Sequence, residues 1–161
     1  MFEIVKKEFR KFPNVEAILP QRQTKGSAGY DFYSNEEIML EPGQQHTFWT
    51  DIKCNMDCFV NKEFTISVPV LDIYIRSSLG KKGLRLCNQV GIVDMDYYNN
   101  KDNDGNIGIM IQNTSYDNIE IKKGERIVQG IIRDSYIFPG EIKPEANREG
   151  GFGHTNKNQL K

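Results

Sequence analysis

The apolar residues of this chain come in short runs, and this feature constrains its fold most strongly. The runs are rich in Ile, Val, Phe and Tyr, they are separated by Gly, Asn and Asp, and helical periodicity is almost absent. We predict strands within residues 15–19, 37–40, 64–71, 107–111, 119–121 and 126–132. Many short strands of this kind predict an all-β sandwich or barrel.

Glycine-containing turn signals separate these runs. They are Pro42-Gly43, Asp104-Gly105, Lys123-Gly124 and Pro139-Gly140. The one predicted helical turn follows Arg76, at Ser77–Lys82.

The composition excludes several classes of partner. The 161 residues correspond to one domain, and 21 basic against 22 acidic residues give a net charge of −1. This balance provides no electrostatic surface for duplex DNA or a membrane, so we expect neither partner. The first twelve residues lack the apolar stretch of a signal peptide, and an odd count of three cysteines favours free thiols. We therefore expect a cytoplasmic protein without a membrane span.

The composition changes near Gly140, which divides the chain into two predicted parts. Residues 1–140 should form the β domain, and residues 141–161 a polar, flexible C-terminal arm. The arm holds Arg148, paired glycines, Phe152 and Thr155 within eight residues. Glycines let a backbone wrap a phosphate, so this cluster is a candidate ligand clamp as well as a frayed tail.

Two carboxylates mark further candidate segments. Asp31 lies in the apolar strand AGYDFY, either as a solvated strand-edge acid or as a site residue. Asp94 ends the apolar run of GIVDMDY, so we expect it to be partly buried at a strand end. A desolvated carboxylate there can act as a base, or it can close an Asx turn.

Two segments carry polar groups suited to phosphate. RSSLG places Arg76 and two hydroxyls before a short turn, whose backbone N–H groups can form an anion nest. GERIVQ places Gln129 among apolar residues of a strand, where a glutamine is usually surface-facing.

The order of AGYDFY, RSSLG, GIVDMDY, GERIVQ and REGGFGHT resembles the five motifs of the trimeric dUTPase family across residues 15–156. The resemblance implies a jelly-roll-like barrel assembled as a homotrimer, with active sites between subunits and an arm that closes a neighbour's site. The implied reaction is the Mg²⁺-dependent hydrolysis of dUTP to dUMP and pyrophosphate.

The resemblance also implies a role for each matching residue. Asp94 matches the acid that activates water for attack on the α-phosphorus, and Asp31 the acid that holds Mg²⁺ through water. Tyr97 matches the tyrosine that excludes a 2′-hydroxyl, and the uracil pocket is matched by Asn88 and by the backbone after Val90. The phosphate-contacting and lid positions are matched by Arg76, Ser77, Ser78, Gln129, Arg148, Phe152, Gly153 and Thr155.

Departures from the motif pattern leave two alternatives open. RSSL is the usual wording of dCTP deaminase, which shares the fold, but the strand at 107–113 lacks the acid which that reaction needs. Insertions at about 53–70 and 98–105 are candidate surfaces for a regulatory protein partner. We read Asp102–Gly105 as a polar turn and not as a calcium loop, because no glutamate follows at the required spacing.

Overall fold

A computed structural model describes residues 1–60, 67–141 and 148–151. The described part is almost entirely β-structure, with one five-residue helix, α1 (Ser77–Lys81), and three single 3₁₀ turns. The strands are β1 (Phe2–Ile4), β2 (Tyr30–Tyr33), β3 (Ile38–Leu40), β4 (Gln45–Trp49), β5 (Ile52–Cys54), β6 (Ser67–Ile75), β7 (Leu84–Leu86), β8 (Gly91–Asp94), β9 (Gly108–Asn113), β10 (Ile119–Ile121) and β11 (Arg126–Tyr136).

Four small antiparallel sheets form the body. The largest has the order β2-β11-β6-β8, so that β8 is an edge strand. The others pair β4-β9-β7, β1-β5 and β10-β3. Non-sequential neighbours such as β4 and β9 are typical of a jelly-roll-like arrangement, in which distant strands meet across the barrel.

One side of each sheet faces a shared core. Burial alternates strictly along β9, so that Ile109 and Ile111 are buried while Met110 between them is only partly buried. Ile111 packs in the same cluster as Phe32, Phe48 and Leu71, which are all at most 1% exposed. Short β-branched and aromatic runs therefore form one contiguous core, as the sequence predicts.

Most predicted elements are present. The runs at 119–121 and 126–132 fall within strands, those at 37–40 and 107–111 each begin one residue before a strand, and the predicted helical turn is α1. The predicted turn glycines Gly43, Gly105, Gly124 and Gly140 all have positive φ. For the run at 64–71, the described part from Ser67 onward is strand.

The predicted strand at 15–19 is wrong. Val15 closes a turn to Phe12, and the residues after it form no ladder in the part of the chain that the structure describes. Ile18 and Leu19 are more than two-fifths exposed, whereas Ala17 between Val15 and Ile18 is buried in the core. The described residues include no helix long and apolar enough to cross a membrane.

Candidate functional site

Most of the predicted site residues that the structure describes line one of two clefts. Cleft I has a volume of about 300 Å³ and is lined by Ile73, Leu86, Asn88, Gly91, Ile92, Val93, Asp94, Tyr97, Ile107, Gly108, Ile109, Met110, Arg148 and Gly151. Cleft II has a volume of about 250 Å³ and is lined by Gln23, Ser27, Ala28, Gly29, Asp31, Arg76, Ser77, Arg126 and Gln129. The two clefts share no lining residue.

Asp94 lies at the end of edge strand β8, on the wall of cleft I. Its side chain is 49% exposed, so the carboxylate is about half-buried in the single chain. The reason is that β8 pairs only with β6 and leaves the other side of Asp94 uncovered. A carboxylate here can reach a ligand in the cleft without rearrangement of the strand.

Arg148 lies across the mouth of cleft I. Its guanidinium pairs with the Asp94 carboxylate, and its Nε donates to Asp96 Oδ1 at 2.6 Å. Arg148 therefore bridges the two carboxylates of the GIVDMDY segment. The guanidinium covers Asp94 Oδ2, so this contact must be released before a water molecule can donate to that oxygen.

Tyr97 forms the inner wall of cleft I and is 8% exposed. Its hydroxyl donates to the Asn106 carbonyl at 2.9 Å and accepts from Asn103 Nδ2 at 2.6 Å. Burial raises the pKa of this phenol, although the bond from Asn103 opposes the shift, so the hydroxyl remains a donor at neutral pH. Gly151 packs on the ring so closely that a Cβ there would lie 2.7 Å from Tyr97 Cε2.

Asp31 is the anionic centre of cleft II. It is 6% exposed, and each of its oxygens faces an arginine: Arg76 Nε at 3.2 Å and Arg126 Nη1 at 3.1 Å. The interpretation as a solvated strand-edge acid is therefore wrong. Two cations against one carboxylate leave the polar wall of cleft II with a net positive charge, as an anionic ligand requires.

Gln129 lies beside this ion-pair cluster, in register with Asp31 on the neighbouring strand. A Cβ at Gly29 would lie 2.7 Å from Gln129 Oε1 and 3.0 Å from Gln129 Cβ. The glycine of AGYDFY thus gives the Gln129 side chain its place in the cleft. Ser77 lines the cleft at the start of α1, where the first N–H groups of a helix have no intrahelical acceptor.

Strand register separates the two clefts on one chain. Asp94 lies opposite Val70 on β6, and Arg76 directly follows the end of β6, six residues beyond Val70. At about 3.3 Å per residue, the two positions are roughly 20 Å apart along the strand. A base must act within hydrogen-bonding reach, directly or through one water, so one chain cannot bring Asp94 and Arg76 to the same phosphorus atom.

The donor set fits a metal ion carried by a ligand and not by a protein cage. No group of three or more His, Cys, Asp or Glu among the described residues is placed to hold a metal. Asp31 is one carboxylate with lone pairs left beyond its two arginine contacts, next to the candidate phosphate-binding groups. Mg²⁺ typically keeps several waters and binds through one or two carboxylates plus substrate phosphates.

The remaining predicted site residues either do not line a cleft or lie outside the described part of the chain. Ser78 in α1 and Val90 before β8 do not line either cleft, although Val90 lies next to the lining residue Gly91. Phe152, Gly153 and Thr155 lie outside the described residues.

Sequence reasoning missed two residues that the structure places at the site. One is Arg126 of the GERIVQ segment, which pairs with Asp31. The other is Asn103, which contacts the Tyr97 hydroxyl. A cation inside the fourth motif was the available signal for Arg126, and the repeated asparagines after Tyr97 were the signal for Asn103.

Comparisons with known proteins place the chain in a family. The dUTPase family profile matches residues 15–156. A deoxyuridine 5'-triphosphate nucleotidohydrolase of Lactococcus lactis is 38% identical over 156 residues, which is 96% of this chain and 95% of that protein. The crystal structure of dUTPase from Streptococcus mutans superposes with a TM-score of 0.70 at 31% identity, covering 86% of this chain and 98% of its own.

A more distant structure shares the fold. It is a mutant dUTPase from phage phi11 of S. aureus, described as revealing the coordination of a structural Mg(II) ion. It matches with a TM-score of 0.60 at 20% identity and covers 89% of this chain and 94% of its own.

Proposed function

The chain belongs to the dUTPase family and hydrolyses dUTP to dUMP and pyrophosphate, and we propose that Asp94 is its general base and that each active site joins two copies of the chain. The observation that carries this proposal is the division of the five motifs between two clefts. Cleft I holds Asn88, Asp94 and Tyr97, whereas cleft II holds the candidate phosphate-binding groups.

Cleft I is the proposed nucleoside pocket. Its apolar walls can enclose a flat base, and Asn88 and the backbone near Gly91 supply polar groups for the base edge. Tyr97 packs under the deoxyribose and leaves no room for a 2′-hydroxyl. Asp94 then stands at the exit of this pocket, where the α-phosphorus lies.

Cleft II of a second copy is the proposed triphosphate pocket. Arg76, Arg126, Ser77 and Gln129 converge there as donors for phosphate oxygens. A triphosphate brings high negative charge, and donors fixed before binding stabilise further charge in the transition state. This arrangement requires few cations, in keeping with a net charge of −1.

The chemical step moves one proton to the protein. A water oxygen bonds to the α-phosphorus while the bond to the α,β-bridging oxygen breaks, and the water's proton passes to the Asp94 carboxylate. Pyrophosphate leaves on the side opposite the attack. The protein contributes positioning and electrostatic stabilisation, with no covalent intermediate.

Mg²⁺ is the proposed cofactor, held to the protein by Asp31 through water. When bound, it supplies neutralisation of the triphosphate charge and fixes the conformation of the phosphate chain. Asp31 is suited to this role because Arg76 and Arg126 hold its carboxylate in one orientation.

Arg148 has a proposed double contact. Its guanidinium pairs with Asp94 and Asp96. We propose that the γ-phosphate competes for this guanidinium and frees Asp94, with Phe152, Gly153 and Thr155 completing the lid. That the arm, residues 141–161, closes a neighbour's site and forms a unit separate from residues 1–140 stays a prediction, because residues 142–147 lie outside the described part of the chain.

A homotrimer is the proposed assembly. The resemblance implies three copies, and a closed ring completes every site by repetition of the same pairing of cleft I with cleft II. Light scattering at micromolar concentration should give three times the mass of one chain. A monomeric mass with full activity would contradict the shared site. Three free cysteines support a proposed cytoplasmic location.

The alternatives have weaker support. A deaminase would need an acid in β9, and Gly108–Asn113 has none. A regulatory partner surface on residues 98–105 is opposed by the burial of Asn100, Asn103 and Asp104.

The decisive experiment is chromatography of the products from dUTP, dCTP and UTP supplied side by side with Mg²⁺. We expect dUMP and pyrophosphate from dUTP only. Deoxyuridine products from dCTP would instead support the deaminase, and no product from any of the three would support a binding module.

A further inference from the structure

Several polar side chains of the segment that follows Tyr97 are buried inside the fold. We call residues 98–106 the asparagine loop. Asn100, Asn103, Asp104 and Asn106 are each at most 8% exposed, although all four are polar. Asn99, Asp104 and Gly105 all have positive φ, with values of 56°, 58° and 84°. Buried polar groups and left-handed backbone are costly, and the surrounding structure must fix them in place.

Asn103 places its amide directly on the Tyr97 hydroxyl. Its Nδ2 donates to Tyr97 Oη at 2.6 Å, while the hydroxyl donates to the Asn106 carbonyl at 2.9 Å. The hydroxyl is thus held both as acceptor and as donor by one loop. These two bonds restrain the far end of the ring in addition to its packing.

Asn100 fixes the orientation of the Asn103 amide. Asn100 Nδ2 donates to Asn103 Oδ1 at 2.7 Å, and the Gly105 N–H donates to the same oxygen at 3.0 Å. The amide oxygen is therefore committed to these donors, and the amide nitrogen must point at Tyr97. Asn100 Nδ2 also donates to the Tyr97 carbonyl at 2.8 Å, so the loop holds both ends of this residue.

A buried ion pair anchors the loop to the barrel. Asp104 Oδ2 accepts from Lys53 Nζ on β5 at 2.9 Å and from the Lys6 N–H at 2.9 Å. Lys53 Nζ also donates to Asn99 Oδ1 at 2.6 Å. None of these contacts involves Tyr97. They position the loop, whereas Asn103 contacts the tyrosine hydroxyl.

We propose that Asn103 is a positioning residue for sugar selection, which it exerts by fixing the ring of Tyr97. This inference rests on the proposed function, in which Tyr97 packs against the deoxyribose. A 2′-hydroxyl adds a single oxygen atom to the sugar. A displacement of the Tyr97 ring by less than the width of that atom would therefore make room for the ribonucleotide. The insertion at 98–105 thus contributes to discrimination between dUTP and UTP by positioning Tyr97, without contacting the substrate itself.

The test compares dUTP with UTP in a double-mutant cycle. The variants are Asn103→Leu, which keeps the approximate volume and removes the amide, Tyr97→Phe, which keeps the ring and removes the hydroxyl, and the two combined. The readout is the ratio of kcat/KM for dUTP to that for UTP. We expect each single variant to lower this ratio by about fivefold or more, as for the loss of one buried hydrogen bond.

The double variant separates positioning from a general loss of structure. If Asn103 acts through the Tyr97 hydroxyl, the double variant should discriminate no worse than Tyr97→Phe alone. Asp104→Asn is the matched control, because it weakens the same loop without touching Tyr97. It should lower the melting temperature and leave the dUTP/UTP ratio unchanged.

Several results would overturn the inference. One is a parent-like ratio in folded Tyr97→Phe, which remains informative even if Asn103→Leu does not fold. Another is a loss in the double variant equal to the product of the two single losses. A fall of the ratio in Asp104→Asn equal to that in Asn103→Leu would assign the effect to loop stability. A parent protein without dUTP hydrolysis would overturn the proposed function itself, whereas an active parent with unchanged variants would overturn only this inference.

Discussion

Gly29→Ala tests whether the close approach of Gly29 and Gln129 serves catalysis. The added Cβ would lie 2.7 Å from Gln129 Oε1 and 3.0 Å from Gln129 Cβ. The 2.7 Å contact forces the amide oxygen to rotate away, and the 3.0 Å contact with the fixed Cβ requires a shift of a few tenths of an ångström between the two chain segments, so the Gln129 amide leaves its position in cleft II. The variant should therefore lose the proposed phosphate contact of Gln129.

The expected magnitude follows from that single contact. A hydrogen bond to a charged group contributes about 1.5–3 kcal/mol, which corresponds to a loss of roughly 10- to 100-fold in kcat/KM for dUTP. Stability should fall by less than activity, since the close contact with Gln129 Cβ is partly offset because Gly29 does not have positive φ and alanine restricts the unfolded chain. Activity and stability are thus expected to respond differently to one methyl group.

The assay is steady-state pyrophosphate release, with thermal unfolding measured on the same samples. Gly26→Ala is the matched control, because a Cβ at Gly26 meets nothing within 4 Å in the same segment of chain. It should retain parental kcat/KM. A Gly29→Ala protein that is folded and hydrolyses dUTP within threefold of the parent would refute the role given to Gln129.

Three further perturbations have defined outcomes. Asp94→Asn should lower single-turnover hydrolysis by about 10²- to 10⁴-fold while calorimetric dUTP affinity is nearly retained, and a rate within threefold of the parent would reject Asp94 as base. Removal of Arg148–Lys161 should lower kcat about tenfold or more in a folded oligomer, since charge-assisted phosphate contacts are lost, and an unchanged kcat would reject the clamp. Burial opposes the charged form of Asp104, but the Lys6 N–H and Lys53 outweigh it and hold its pKa below the usual value. The stability that Asp104 contributes is therefore present at neutral pH and lost as pH falls from about 4, so parent and Asp104→Asn should differ in denaturant midpoint at pH 7 and converge in acid.

Local signals predicted the turns and the central strands. Gly43 and Gly124 have positive φ, which a glycine in a turn signal indicates directly. The apolar runs at 107–111 and 126–132 overlap the central strands β9 and β11. These features depend on residues close in sequence, and a pattern can therefore reveal them.

Features that depend on distant partners were harder to predict. The three-residue strands β1 and β5 exist because they pair with each other across 50 residues of chain, and neither has a distinctive pattern. The apolar run at 15–19 has the composition of a strand but no ladder partner in the described chain. Strand formation is decided by pairing and not by composition alone.

The site shows the same division. The motifs identified Asp94, Tyr97, Arg76 and Gln129, because their residue types and order carry chemistry. They did not reveal that Asp31 is buried between two arginines, nor that the loop after Tyr97 folds inward. Both depend on side chains brought together by the barrel, such as Arg126, which is 95 residues from Asp31.

In the proposed active site, Asp94 comes from one chain and Arg76 from another. The most direct measurement mixes two inactive proteins, Asp94→Asn and Arg76→Ala, under conditions that exchange subunits. Random pairing of neighbours leaves about one site in four with both groups intact, so the mixture should recover roughly a quarter of the parental activity per site. A mixture no more active than the sum of the two variants alone, with exchange of subunits confirmed by mass, would contradict the shared site.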